Sequence, residues 1–192
     1  MGCFVSTLKN KDMNDPKIKT VPEHYTSVTP WIISTSSADL ITFLKAVFDA
    51  EEIPNSRICN EAGDIIHVVV KLGNALVMLF DSRAGWGPTP SFLNVYVEDL
   101  EHTYQKALQQ GATSVTAPTT LWFGEKVCRL LDPFGNLWWI NQRTEDVDFT
   151  NPEAIAQRAS TPEAVAGIAY IQQSLHEALL RQKDFFNNIS SE

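Results

Sequence analysis

The chain has 192 residues, 44% of them hydrophobic and 20% charged, enough to bury one substantial core and equally compatible with one domain of two similar halves. Its formal net charge is -8, and no lysines or arginines gather into a block, so a nucleic-acid partner is excluded. Cys3, Cys59 and Cys128 show no CxxC spacing, which argues against a disulfide framework and a cysteine zinc site and makes a cytoplasmic location the expectation.

No apolar run reaches the roughly 20 residues needed to span a bilayer. The start Met1-Gly2-Cys3-Phe4-Val5-Ser6 lacks the apolar segment of a secretory signal. It does match a myristoylation pattern, with Gly2 as acceptor and Cys3 as a second lipid site, so a membrane partner is expected only if Gly2 is modified. Met13 is an alternative start, which would make residues 1–12 a leader. Residues 1–25 are polar, lysine-rich and punctuated by Pro16 and Pro22, and read as a flexible tail.

Thr26–Ser34, with Trp31, Ile32 and Ile33, predicts a strand, and Ser36 or Ser37 can cap the helix that follows. Leu40, Ile41, Phe43, Leu44, Val47 and Phe48 recur at helical spacing up to Asp49-Ala50. Arg57–Asn60, Ile65–Lys71 and Ala75–Phe80 then predict strands, with Gly63 and Gly73-Asn74 as turns. The pattern restarts with a strand at Ser91–Glu98 and a helix at Asp99–Gln110 closed by Gly111. Strands at Ala112–Val115, Lys126–Leu131 and Leu137–Asn141 complete it. Gly63-Asp64-Ile65-Ile66 corresponds to Gly124-Glu125-Lys126-Val127, and Gly73-Asn74 to Gly135-Asn136, so both halves read as βαβββ units that must pack together.

After Arg143 comes an acidic linker, Thr144–Thr150, then two helix starts with proline at the first position, Asn151-Pro152-Glu153 and Thr161-Pro162-Glu163. The second opens a helix reaching roughly Asn187. Its stripe of Val165, Ile168, Ala169, Leu175, Leu179 and Phe186 is expected to pack against the sheet or a second subunit.

The run Asp132-Pro133-Phe134-Gly135-Asn136-Leu137-Trp138-Trp139-Ile140-Asn141 resembles the closing hairpin and last strand of the vicinal oxygen chelate superfamily, the glyoxalase, bleomycin resistance protein and dioxygenase fold. The segments Phe43–Phe48, Val97-Glu98-Asp99-Leu100 and Lys71-Leu72-Gly73-Asn74 are similar to its PhnB-type branch. The resemblance covers residues 26–145 and implies an α+β fold of two βαβββ modules, 26–84 and 90–143, each half of a barrel around a cavity. Residues 146–192 are then a helical C-terminal extension. It further implies a homodimer, in which two chains complete the cavities.

Metal-dependent members of that superfamily hold a divalent cation with His, Glu or Gln from the first and last strands of each half. Those positions fall here on Thr29, Met78 (or Val77), Phe92 and Trp139, none of which is a plausible ligand, so neither a metal nor another cofactor is expected. Strand alternation sends Trp31, Ile33, Phe92, Asn94, Leu137, Trp139 and Asn141 into the cavity, and loops add Trp86, Trp122 and Phe123. Aromatic walls with a few amides suit a flat or amphipathic small molecule.

His67, on a strand where PhnB-type relatives often carry histidine, is a candidate general base or a buried core histidine. Arg129 is placed to pair with a ligand carboxylate or phosphate, or to form a rim salt bridge with Glu125 or Asp132. Cys128 reads as buried and inert, and His24, His102 and His176 as solvated. The absence of a G-x-S-x-G elbow, a phosphate loop and a dinucleotide fingerprint removes serine hydrolase, nucleotide and hydride chemistry from consideration. Three readings stand: a metal-free small-molecule binding protein; a lyase-like or isomerase-like enzyme using His67 or a non-standard divalent metal site; and an interaction module working through its long C-terminal helix.

Overall fold

The computed structural model describes residues 18–189, with side-chain surroundings through Arg181. Gly2, Cys3, Ser6 and Met13, and the side chain of Phe186, lie outside the described residues. The first module runs β1 (Trp31–Ser34), α1 (Ser37–Phe48), β2 (Glu51–Glu52), β3 (Ile58–Cys59), β4 (Ile65–Leu72) and β5 (Ala75–Asp81). β1 is shorter than the Thr26–Ser34 stretch predicts. It starts after Pro30, which has no N–H to give and contributes only its carbonyl, to Met78 N. Ser36 caps α1 by accepting from Asp39 N, and Asp49, at φ 53°, ends it in the left-handed region.

The second module repeats the plan with β6 (Phe92–Tyr96), α2 (Leu100–Gln109), β7 (Thr113–Leu121), β8 (Glu125–Leu131) and β9 (Leu137–Arg143). The β7 strand extends well past the expected Val115 and carries Pro118. Proline is tolerated there because β7 is an edge strand whose register against β8 shifts around Thr116 and Thr119. Two helices follow, α3 (Pro152–Ala159) and α4 (Pro162–Ile189).

The strand orders are β1-β5-β4-β2, with β3 also on β4, and β6-β9-β8-β7. In each sheet the first and last strands run parallel, β1 with β5 and β6 with β9, and the two sheets do not close into one barrel. One core joins the modules: Ile32, Val68, Val70, Val77 and Leu79 meet Leu40, Leu44 and Val47 of α1, while Cys128, Leu130, Trp138 and Ile140 meet Leu100, Tyr104 and Ala107 of α2. The Phe48 and Trp138 rings, 5.0 Å apart, cross between modules. Helices therefore cover one face of each sheet, and alternation turns the other face away from this core.

Asp132 fixes the last hairpin. Its carboxylate accepts from Phe134 N and Asn136 N at 2.9 Å each, Asn136 Nδ2 at 2.9 Å and Trp138 Nε1 at 2.8 Å. Burial pushes its carboxyl above the ordinary aspartate value, against the pull of those four donors. Asn136 Oδ1 in turn accepts from Ser91 N at 2.9 Å, tying the hairpin to the entry of β6.

Candidate functional site

Away from the core, the first sheet presents Trp31, His67, Val69, Lys71, Leu76, Met78 and Phe80 on one face, as the pairs Trp31 with Met78 and Val69 with Met78 require. Trp31 is 46% exposed. Its ring centroid lies 5.5 Å from that of His67 and 5.3 Å from that of Phe80. Phe80 reaches Trp86 at 5.6 Å, and Arg83 sits 5.8 Å over the Trp86 ring. His67 faces Ile58 across the β3–β4 pair, and among the described residues no carboxylate orients it. The same face continues into a cleft of about 400 Å³, lined by Val69, Lys71, Leu76, Ile53 and the Glu23-His24-Tyr25 segment that precedes β1. Phe80, Leu76 and Tyr25 were not among the residues expected from sequence. The period-2 alternation of β5 was the available signal for Phe80 and Leu76, whereas Tyr25 lies in a stretch that reads as tail.

The second sheet turns Phe92, Asn94, Trp139, Asn141, Val127, Arg129, Thr116 and Leu121 away from the core. Here α4 lies on the sheet. Leu121, Val127 and Ile171 are buried together, with Ile168, Phe123 and Trp139 packed around them. Arg129 is 2% exposed; its Nη1 donates to Ile171 O and, at 3.2 Å, to Thr116 Oγ1, and its guanidinium stacks 3.8 Å from the Trp139 ring centroid. Thr116 Oγ1 and Ser174 Oγ share a 2.7 Å hydrogen bond. The expected rim salt bridge of Arg129 does not form, because Asp132 is consumed by its own turn and Glu125 accepts from Tyr96 Oη at 3.2 Å. Burial without a carboxylate partner pulls the guanidinium below the usual arginine range.

The docked stripe of α4 also differs from the expected one. Ala164, Gly167, Ile171, Ser174 and Ala178 are buried, while Val165 and Leu179 are 57% and 46% exposed. Ala169 is exposed too, and Ile168 and Leu175 are half-buried. Small residues let the helix axis come close to the sheet: a Cβ on Gly167 would stand 3.3 Å from Leu121 Cδ2 and 3.6 Å from Thr120 O. Larger side chains on the expected stripe would hold it off.

The remaining expected site residues separate. Phe92 stacks on Trp139 at 6.3 Å and 14°, and Asn141 Nδ2 donates to Asn94 Oδ1. Trp122 and Phe123 are 5.6 Å apart, but Trp122 meets Phe149 of the acidic linker at 6.4 Å and gives its carbonyl to Arg158 Nε, so the pair belongs to the seat of the C-terminal extension. Cys128 is fully buried, and burial pushes its thiol up to about 12, which removes it as a nucleophile at neutral pH. His102 and His176 are exposed on helices, while His24 borders the cleft.

At the superfamily's cation positions the side chains are not those of a metal centre. Thr29 precedes β1, and the residue paired with Met78 is Trp31, two residues further on. Trp31, Met78, Phe92 and Trp139 offer indoles, a thioether and a phenyl ring, with no oxygen or imidazole lone pair for a hard or borderline cation. Among the described residues, no group of three or more His, Cys, Asp or Glu is placed to hold a metal ion. The residues present do not fit the family's metal centre. No described helix is long and apolar enough to cross a membrane.

The chain is 28% identical over 139 residues to the "Uncharacterized protein Rv0887c" of Mycobacterium tuberculosis, covering 67% of this chain and 81% of that one. In structure it is similar to TioX from Micromonospora sp. ML1, at TM-score 0.51 and 19% identity over 62% of this chain and 98% of that one. It is also similar to a Bacillus cereus protein described as "Putative 3-demethylubiquinone-9 3-methyltransferase, PhnB protein", at TM-score 0.49 and 22% identity over 61% and 99% of the two chains. The family model "Glyoxalase/Bleomycin resistance protein/Dioxygenase superfamily" matches residues 24–140, the two paired βαβββ modules, and the chain belongs to that superfamily.

Proposed function

We propose that this chain is a small-molecule binding protein that works without a metal and takes an aromatic or amphipathic ligand on the uncovered face of the first sheet. One observation carries this reading: Trp31, His67, Phe80 and Trp86 form a continuous, solvent-open series of rings on the face that also holds the 400 Å³ cleft. Ring faces stack a flat ligand, while Lys71, Glu51 and His24 at the cleft supply polar contacts that fix its orientation. His67 serves here as a wall, since general-base work is helped by a group that holds the tautomer and none is bonded to it among the described residues. Residues 26–145 form the binding unit and 146–192 an extension of it.

The protein acts as a cytosolic homodimer in this reading. Trp31, Trp86, Phe92 and Ile58 are all exposed large apolar side chains, surface that a second copy would cover. Native mass spectrometry of the protein purified from its own source tests both parts by counting subunits and looking for a retained small molecule. A stoichiometric divalent metal would overturn the metal-free reading, and a monomer at micromolar concentration the dimer. Trp31→Ala is expected to abolish ligand-induced fluorescence change while the fold is kept.

A further inference from the structure

We propose that the outward face of the second sheet is a separate binding site for a planar aromatic carboxylate, that α4 occupies this site in cis, and that undocking of the helix opens it. The site is built from Arg129, Thr116, Trp139 and Phe92. Arg129 is the unusual member, because it is a buried cation whose acceptors are a neutral helix carbonyl, Ile171 O, and a hydroxyl, Thr116 Oγ1. Its Nε has no partner, and neither does Trp139 Nε1 beside it. A desolvated guanidinium without a counter-charge is unfavourable, and a carboxylate is the group that satisfies two of its N–H donors at once. The Trp139 ring under the guanidinium, stacked in turn with Phe92, gives the aromatic part of such a ligand a surface to lie on.

The helix stands where that ligand would lie, and its hold is modest. It docks through Ala164, Gly167, Ile171, Ser174 and Ala178, with Ile168 packed beside Ile171 and Tyr170 Oη accepting from Ala117 N at 3.0 Å, and it still leaves the two donors unmet. Its neighbour α3 buries none of its residues but is fastened separately. Arg158 donates to Trp122 O at 3.0 Å and pairs with Glu145, so α4 can swing about Ser160-Thr161 while the extension stays attached. Ligand binding then competes with helix docking. The apparent affinity is reduced by the fraction of molecules in which α4 is docked.

The test locks and unlocks the helix in the full chain. Thr116 and Ser174 hydroxyls are 2.7 Å apart, so Thr116→Cys with Ser174→Cys, in a Cys3→Ser, Cys59→Ser background, can form a disulfide across the contact. The probes are 1-naphthoate and its uncharged analogue 1-naphthamide, read by calorimetry together with amide exchange over residues 164–178. The expected result is that naphthoate binds the oxidised protein at least about tenfold more weakly than the reduced protein, while naphthamide, which lacks the charge that pairs with Arg129, binds the reduced protein more weakly than naphthoate does. Gly167→Gln, whose Cβ alone would stand 3.3 Å from Leu121 Cδ2 so that the longer side chain crowds the seat, is the second arm: exchange in α4 rises and naphthoate binds at least about tenfold more tightly than to the unaltered chain. Adding Arg129→Gln to it should erase the preference for naphthoate over naphthamide. Equal naphthoate affinity in the oxidised and reduced states overturns the proposal, as does failure of naphthoate to bind both the reduced protein and the Gly167 variant. The first-sheet site stays open in every state, so its success or failure is read separately through Trp31→Ala.

Discussion

The guanidinium of Arg129 lies flat against the indole of Trp139, 3.8 Å from the ring centroid, with the backbone of α4 closing over it. This pair joins the sheet to the C-terminal extension, yet the charge itself is held without a carboxylate. Because an unpaired buried ion is strained electrostatically, replacing it by an apolar chain of similar length removes desolvation along with two hydrogen bonds. Arg129→Met is therefore expected to stay folded, with urea-unfolding stability within about 1 kcal/mol of the parent or above it. A loss of more than about 3 kcal/mol would mean that the hydrogen bonds to Ile171 and Thr116 outweigh the desolvation.

Trp138 and Trp139 are neighbours in sequence with opposite surroundings. Trp138 is 1% exposed, touches Phe48 and donates to Asp132, whereas Trp139 lies under the helix. Trp138→Ala should cost about 3–5 kcal/mol in chemical denaturation, through the cavity and the orphaned carboxylate. Trp139→Ala should cost less and should raise amide exchange in α4. Equal losses from both variants would contradict the register described for β9.

Glu52 gives a pH prediction. Arg57 donates Nε to Oε1 at 2.8 Å and Nη2 to Oε2 at 2.7 Å, and this pairing holds the Glu52 carboxyl below its ordinary value of 4.5. The native state then binds fewer protons than the unfolded chain. The contribution is present above about pH 4.5 and is lost as the pH falls through the lowered value. Both partners are partly exposed, so Glu52→Gln should cost only about 0.2–1 kcal/mol at neutral pH. Thermal melts of the two proteins should converge in acid, and a gap that widened there would reverse the sign of the pairing.

EDTA is expected to leave the melting midpoint unchanged. A metal bound to the native state would stabilise it by mass action, and stripping it would lower the midpoint by several degrees. Differential scanning calorimetry before and after chelation decides the matter.

Much of the fold could be read in advance because its signals are local. Ser36 as a cap, Gly73-Asn74 and Gly135-Asn136 as turns, and the helical spacing of Leu40, Leu44 and Val47 each act within a few residues. What escaped depends on partners far along the chain. The parallel pairing that sets Trp31, and not Thr29, beside Met78 is decided by β5, some 45 residues away, and nothing in the β1 stretch itself declares it. The face of α4 was misjudged for a related reason. A helix with apolar residues on two stripes chooses between them by the shape of its seat, and the bulk of Leu121 and Thr120 favours the stripe that includes Gly167. The burial of Arg129 was invisible because its acceptor is a backbone carbonyl, which every residue possesses.

The irregularity of β7 has a bearing on how copies of this chain can meet. Pro118 and the two register shifts break the row of donors and acceptors along the outer border of the second sheet, and α4 leans over what remains. The opposite border of the first sheet is the two-residue, doubly acidic β2. The β1 border of the first sheet is taken up by the linker, where Thr89 bridges Ile33 and Ser91 Oγ donates to the Trp31 carbonyl. With these three borders blunted or occupied, strand-to-strand growth meets an obstacle at each of them, which leaves the five-residue β6 as the regular outer strand. A partner copy that comes along those three borders finds few backbone groups to pair with, which favours a broadside approach across the rings.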